Sequence, residues 1–288
     1  MSFAGSEQFI EELQSRKFLS SKNIVNLIQG ENLCGQYFVE NGFSTPVLVP
    51  EIKGLRIKIP TQDFDLQDVV DNTDADQVLD VILSRKQNVK KLKLRDLVDC
   101  FYHEPREEIL NSLSYEFSHT KLGALVSPPH VVSELSLVEQ IWPDDEDEAD
   151  EDVFSSKPNV QKYCIMSMGD SYTDFHVDFG GSSVWYHVLW GSKTFYLIPP
   201  TPENLDMYWE WYDIQDNRHL YFPDRLEKSS VMRSGNEEIS VAPVYRLKVF
   251  TGQTIFLPAG WIHAVYTPED SLVFGGNFLT KLTVPIQL

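Results

Sequence analysis

Residues 172–181 read Tyr172-Thr173-Asp174-Phe175-His176-Val177-Asp178-Phe179-Gly180-Gly181. Apolar side chains flank a histidine and an aspartate two positions apart. Residues i and i+2 of a strand project to the same face, so a strand over 175–179 would aim one imidazole and one carboxylate into one cavity. A carboxylate inside such a run would be buried, and burying an unpaired charge is unfavourable. A cation beside it removes the problem.

Further along, Leu257-Pro258-Ala259-Gly260-Trp261-Ile262-His263 supplies a turn and then a histidine on the next strand. His176, Asp178 and His263 together are the donor set of the two-histidine, one-carboxylate facial triad that holds non-haem Fe(II) and leaves coordination positions open for a co-substrate and O2. A zinc hydrolase can use the same ligand types. A 2-oxoglutarate oxygenase also needs a cation and hydroxyls for the distal carboxylate, because a bare anion is unfavourable in an apolar cavity. Lys193, at the start of the run 194–198, Thr173 and Tyr186 are the candidates. The zinc reading leaves Thr173 and Lys193 without a task. Of the other histidines, His103, His119, His130 and His219 lie in polar surroundings, and His187 reads as packing.

The texture around these residues is β-rich. Runs at 163–168, 184–190, 194–198, 246–250, 254–257, 264–267 and 272–274 are punctuated by Gly, Pro or Asp, which predicts a sandwich or barrel. Residues 199–221 read as a helix-and-loop insert, and 229–243 as a polar loop. Upstream the signals are mixed. Helices are expected at 7–16, at 23–29 closed by Gly30, at 93–102 from Leu94, Leu97, Val98 and Phe101 at helical spacing, and from 130 to 141; strands are expected at 45–50 and 77–84. The chain divides into a flexible lead-in (1–20), an α/β layer (21–152) and a β-core (153–288), the last two forming one compact unit.

The 288 residues, 42% hydrophobic, are enough for one large domain. No stretch approaches the ~20 apolar residues of a membrane span, and the N-terminal residues lack a secretory pattern. Three scattered cysteines favour a reducing compartment. The net charge of −19 argues against direct nucleic-acid binding, which rests on cationic neutralisation, and suits a basic peptide partner. Part of that charge sits in Asp144–Asp152, read as a solvated loop.

The stretches 172–188, 256–268 (Phe-Leu-Pro-Ala-Gly-Trp-Ile-His-Ala-Val-Tyr-Thr-Pro) and 270–279 (Asp-Ser-Leu-Val-Phe-Gly-Gly-Asn-Phe-Leu) resemble the JmjC histone lysine demethylases. With 36–43 and 159–164, they resemble the branch whose members carry PHD fingers or F-box and leucine-rich-repeat modules. The resemblance covers residues 20–288. It implies a mainly β fold with α, a double-stranded β-helix (jelly-roll, cupin-like) core under a partly helical N-terminal layer. It implies Fe(II) on His176, Asp178 and His263. It places 2-oxoglutarate against Thr173, Lys193, Tyr186 and Asn111, with O2 as the second co-substrate. Gly275, Gly276 and Asn277 fall where relatives receive the methylated ammonium. The implied activity is oxidative removal of methyl groups from mono- and dimethyl-lysine of a histone tail, lysine 36 of histone H3 first, in the nucleus, with nucleosome contacts made through regions outside this chain. A JmjC protein hydroxylase and a non-catalytic chromatin-binding module are the alternatives. The chain departs from the family pattern in its long acidic run, in an insertion at 229–243, and in ending at Leu288, where relatives continue into helices.

Overall fold

The computed structural model describes residues 2–142, 157–234 and 237–284. In chain order the helices are α1 (Glu7–Ser15), α2 (Gly35–Asn41), α3 (Leu66–Asp71), α4 (Leu94–Tyr102), α5 (Lys121–Leu125), α6 (His130–Leu135), α7 (Leu137–Ile141) and α8 (Pro202–Tyr212). The strands are β1 (Leu19–Ser20), β2 (Asn26–Leu27), β3 (Val47–Val49), β4 (Val78–Leu83), β5 (Asn88–Lys93), β6 (Leu110–Glu116), β7 (Tyr163–Ser167), β8 (Ser171–His176), β9 (Ser183–Trp190), β10 (Ser192–Ile198), β11 (Ser230–Ser234), β12 (Glu237–Val241), β13 (Tyr245–Phe250), β14 (Thr254–Leu257), β15 (Ile262–Thr267) and β16 (Ser271–Phe278).

Two large sheets carry the fold, ordered β1-β13-β10-β15-β8 and β2-β3-β14-β9-β16-β7-β6-β4-β5. They share one apolar layer, in which Phe195, Leu197, Leu247 and Val249 of the first meet Val188, Ile255, Leu257 and Val273 of the second. This is the jelly-roll arrangement. Each sheet is also covered outside. On the nine-stranded sheet, Val69, Leu94, Leu97 and Val131 of the helical layer pack against Met166 and Phe274. On the five-stranded sheet, Phe9, Ile10 and Leu13 of α1 and Tyr208 and Trp211 of α8 pack against Tyr172, Tyr196 and Tyr266. Strands buried on both faces read as continuous apolar runs, which is why β10 and β16 show no polar alternation: every residue of both is buried.

Several expectations give way. The predicted helix at 23–29 is absent. Ser21–Asn23 form a 3₁₀ turn, and Asn26–Leu27 pair in parallel with Val47–Leu48. With β-branched Ile24 and Val25 in so short a segment, a free sheet edge competes successfully with helix propensity. Gly30 opens a second 3₁₀ turn rather than closing a helix, and a Cβ there would lie 2.4 Å from the Lys53 carbonyl oxygen. The strand expected over 175–179 stops at His176, because Gly180 and Gly181 (both φ +61) turn the chain just beyond it. Residues 229–243 are not simply a loop: β11 and β12 pair antiparallel as a hairpin. Its apolar positions Val231 and Ile239 stay exposed, so no buried alternation marks it. The strand β5 (Asn-Val-Lys-Lys-Leu-Lys) went unread for the same reason, being a largely exposed edge partner of β4. The acidic run 144–152 lies outside the described residues.

Candidate metal centre

β8 and β15 are antiparallel neighbours, and their register sets His176 directly opposite His263. Their rings lie 4.2 Å apart between centroids. Asp178 is past the last ladder residue but keeps an extended backbone (φ −60°, ψ 142°). One ligand atom from each of His176, Asp178 and His263 falls within 4.8 Å of the others. The i, i+2 relation therefore brings the carboxylate to the histidine although the strand has ended.

The tautomer of each ring is fixed from behind. The His176 Nδ1 lies 2.9 Å from the Asp174 carbonyl oxygen, and the His263 Nδ1 lies 2.9 Å from that of Trp261. A carbonyl only accepts, so both Nδ1 atoms carry the proton and both Nε2 lone pairs are free for a metal. Burial lowers the pKa of His263 to about 4. Burial, then the neighbouring His263, does the same to His176. Both rings are therefore neutral donors at neutral pH. Burial raises the pKa of Asp178. Two neutral imidazoles and one desolvated carboxylate gain from a divalent cation between them, and the donor set fits Fe(II) with positions left open.

The triad opens on a cavity of about 350 Å³ whose lining includes Thr173, Tyr186, Lys193, Gly275, Gly276 and Asn277, with apolar walls from Val184, Phe195 and Val265. Lys193 is buried, and its Nζ donates to Ser167 Oγ (2.6 Å) and Thr267 Oγ1 (2.8 Å). Among the described residues no carboxylate pairs with it, and burial draws its pKa down to about 7. A buried lysine with only hydroxyl partners has no compensating charge among the described residues, an arrangement that suits an anion from outside the chain. Asn111 does not line the cavity. It accepts from Ser167 Oγ (2.7 Å) and donates to Thr173 Oγ1 (3.0 Å), tying both hydroxyls into one chain that ends at Lys193. Tyr186 lines the cavity from β9. His187 faces away and bonds Thr254 Oγ1 through Nδ1 at 2.8 Å. His103, His119, His130 and His219 are exposed.

Four participants escaped the sequence reading. The carbonyls of Asp174 and Trp261 carry no residue-type signal, although both sit two positions before a ligand histidine. Ser167 ends β7 and Thr267 ends β15, both far from Lys193 in sequence, and only the fold brings them to its ammonium.

Gly275 and Gly276 lie within β16, which continues to Phe278 rather than ending near 274. A Cβ on Gly276 would lie 1.9 Å from the Gln161 carbonyl oxygen and 2.7 Å from Trp185 Nε1. Gly276→Ala is therefore expected to destabilise the fold by about 1–3 kcal/mol, the range for overpacking a tight site. A shifted urea midpoint at unchanged slope checks this, and an unchanged midpoint would mean that the backbone at Gln161 yields freely.

Residues 163–278 match the family described as "JmjC domain, hydroxylase". The chain is 43% identical over 285 residues to Lysine-specific demethylase 7A of Homo sapiens, covering 99% of this chain and 28% of that protein. It is 41% identical over 285 residues to Lysine-specific demethylase 7B of Danio rerio (99% and 46%) and 38% identical over 285 residues to Lysine-specific demethylase 2A of Xenopus tropicalis (96% and 23%). It thus spans less than half the length of each of these relatives. Opposed histidines with Nε2 free, a carboxylate beside them, a jelly-roll frame and these matches agree: residues 163–278 of this chain form a JmjC domain.

Proposed function

We propose that this chain is the oxygenase unit of an Fe(II)- and 2-oxoglutarate-dependent lysine demethylase acting on methylated histone tails. The observation that carries the reading is the convergence, in one cavity, of a triad of metal donors with a buried, carboxylate-free lysine. Relatives named lysine-specific demethylases, aligned over nearly the whole chain, support it. When bound, the iron and 2-oxoglutarate would supply the oxidation, splitting O2 as 2-oxoglutarate becomes succinate and CO2 and a methyl C–H becomes C–OH.

The chain's own residues set up that chemistry. His176 and His263 present Nε2, and the Asp178 carboxylate offsets part of the metal's charge. Lys193 receives the distal carboxylate of 2-oxoglutarate, with Thr173 and Tyr186 beside it and Asn111 holding the Thr173 hydroxyl in place. Val184, Phe195 and Val265 keep the wall apolar and limit bulk water. Gly275, Gly276 and Asn277 line the wall of the same cavity where the methylated ammonium would enter. Mono- and dimethyl-lysine are the proposed targets, with lysine 36 of histone H3 first and lysines 9, 27 and 4 as competitors. The −19 charge suits a basic tail. Nucleosome contacts through regions outside this chain, and a nuclear location, belong to the same proposal.

Incubating the chain with Fe(II), ascorbate, 2-oxoglutarate and a panel of methylated histone peptides tests this by mass spectrometry. Loss of a methyl group with equimolar formaldehyde is expected, because a hydroxylated N-methyl group collapses to formaldehyde and amine. A stable added oxygen without formaldehyde would make the chain a protein hydroxylase. No succinate above background with any peptide would remove the oxygenase reading.

A further inference from the structure

We propose that the outer face of β10 carries a second anion site, one that takes a small doubly charged oxyanion such as a phosphate or a dicarboxylate. β10 is a wall between two cavities. Phe195 faces the inner one; Lys193 borders both, with its Nζ turned inward onto Ser167 and Thr267; Thr194 and Tyr196 alternate to the other side. There Thr194 stands opposite Lys248 on β13 and Tyr266 on β15, and Tyr196 stands opposite Arg246. These residues, with Gln14 from α1, line a recess of about 290 Å³.

The floor of the recess is buried and polar. Thr194 is 4% exposed and Tyr196 2%; neither hydroxyl has a hydrogen-bond partner among the described residues, and neither oxygen is sealed off, so both remain open to the recess. Both hydroxyls therefore have bonding capacity to spare for a ligand in the recess. The rim is cationic. Arg246 and Lys248 are exposed, and among the described residues neither meets a carboxylate; Arg246 lies over the Phe18 ring at 5.8 Å. Acids do reach the neighbouring wall residues, but they are engaged there: Asp170 accepts from the Tyr266 hydroxyl (2.7 Å) and Glu269 from Ser192 Oγ (2.7 Å). Neither acid lines the recess. On a chain of net charge −19, two unpaired cations above two unused hydroxyls form a local reversal of sign. An oxyanion satisfies all four groups at once. The recess holds one small anion and offers no groove for a run of backbone phosphates.

This site is independent of the metal chemistry, so its test needs no turnover. Isothermal titration with inorganic phosphate, and separately with succinate, at fixed ionic strength is expected to show saturable binding of at least one anion. That binding should persist in Lys193→Met, which removes the inner cavity's cation, because the Lys193 Nζ is turned away from the recess onto Ser167 and Thr267. It should weaken about tenfold or more in Arg246→Gln/Lys248→Gln, which removes two charge-assisted contacts, and a few-fold in Tyr196→Phe, whose hydroxyl is the only atom lost. The stronger of the two anions identifies the source, phosphate ester or carboxylate. Both altered cations are exposed, so melting temperatures should stay close to wild type; Tyr196→Phe keeps the test open should the double variant fail to fold. Absence of saturable binding for both anions would overturn the proposal. So would binding lost in Lys193→Met but intact in Arg246→Gln/Lys248→Gln.

Discussion

His176→Ala is expected to reduce turnover to background and to lower Fe(II) affinity beyond the ~10–100-fold that outer-shell changes cost. The reason is geometric. His176 and His263 face one another across adjacent strands, with Asp178 completing the set within 4.8 Å. Removing one imidazole leaves two donors, too few to hold the ion facially. It also leaves Asp178 buried with less to balance its charge. Anaerobic titration with Fe(II), or with Co(II) as a spectroscopic stand-in, reads the metal directly, and formaldehyde release reads the chemistry. The substitution removes side-chain atoms at a strand end, so circular dichroism should remain native. Wild-type metal affinity in a folded His176→Ala chain would end the triad assignment.

The second large effect is expected at Lys193. Truncating one partner of a buried, hydrogen-bonded charge pair costs about 2–5 kcal/mol. Lys193→Met should therefore raise the 2-oxoglutarate requirement by roughly 30- to 5000-fold, at about 1.4 kcal/mol per tenfold, with little change in Fe(II) affinity. The wild type should also show a pH signature. Without an anion, burial holds the Lys193 pKa near 7, below its usual 10.5. A bound carboxylate favours the charged form and raises that value again. Binding then takes up a proton above pH 7, and 2-oxoglutarate affinity falls as pH rises through that point. Lys193→Met should be flat over the same range. Stability of the empty protein runs in the opposite direction. The unfolded chain binds more protons between about 7 and 10.5, so the wild type should gain stability relative to Lys193→Met as pH rises across that window. A 2-oxoglutarate requirement unchanged in Lys193→Met would reassign this lysine.

The sequence was most readable where burial is two-sided or strictly patterned. β14, α4 and the β-rich half announced themselves by unbroken apolar runs or by helical spacing. The triad was readable because an aspartate inside an apolar run demands an explanation. Elements held by backbone pairing alone were not readable: β2, β5 and the β11–β12 hairpin bury little, so their composition resembles loop. The hydroxyl chain from Lys193 through Ser167 and Asn111 to Thr173 was half readable. Each member is an ordinary polar residue, and β6, β7, β8 and β10 must be placed before their convergence appears.

The nine-stranded sheet bears on how much of the chain the β-core needs. Strands β2 and β3 close it beside β14, and β6, β4 and β5 close it beyond β7, so early chain segments flank the jelly-roll strands β14, β9, β16 and β7 on both sides. Cut down to 163–278, the protein would carry two raw backbone edges, which invite self-association. Copies of residues 163–278 are therefore expected to need the upstream strands to avoid pairing with one another. Relatives align over 96–99% of the chain rather than over its second half alone, in keeping with that need.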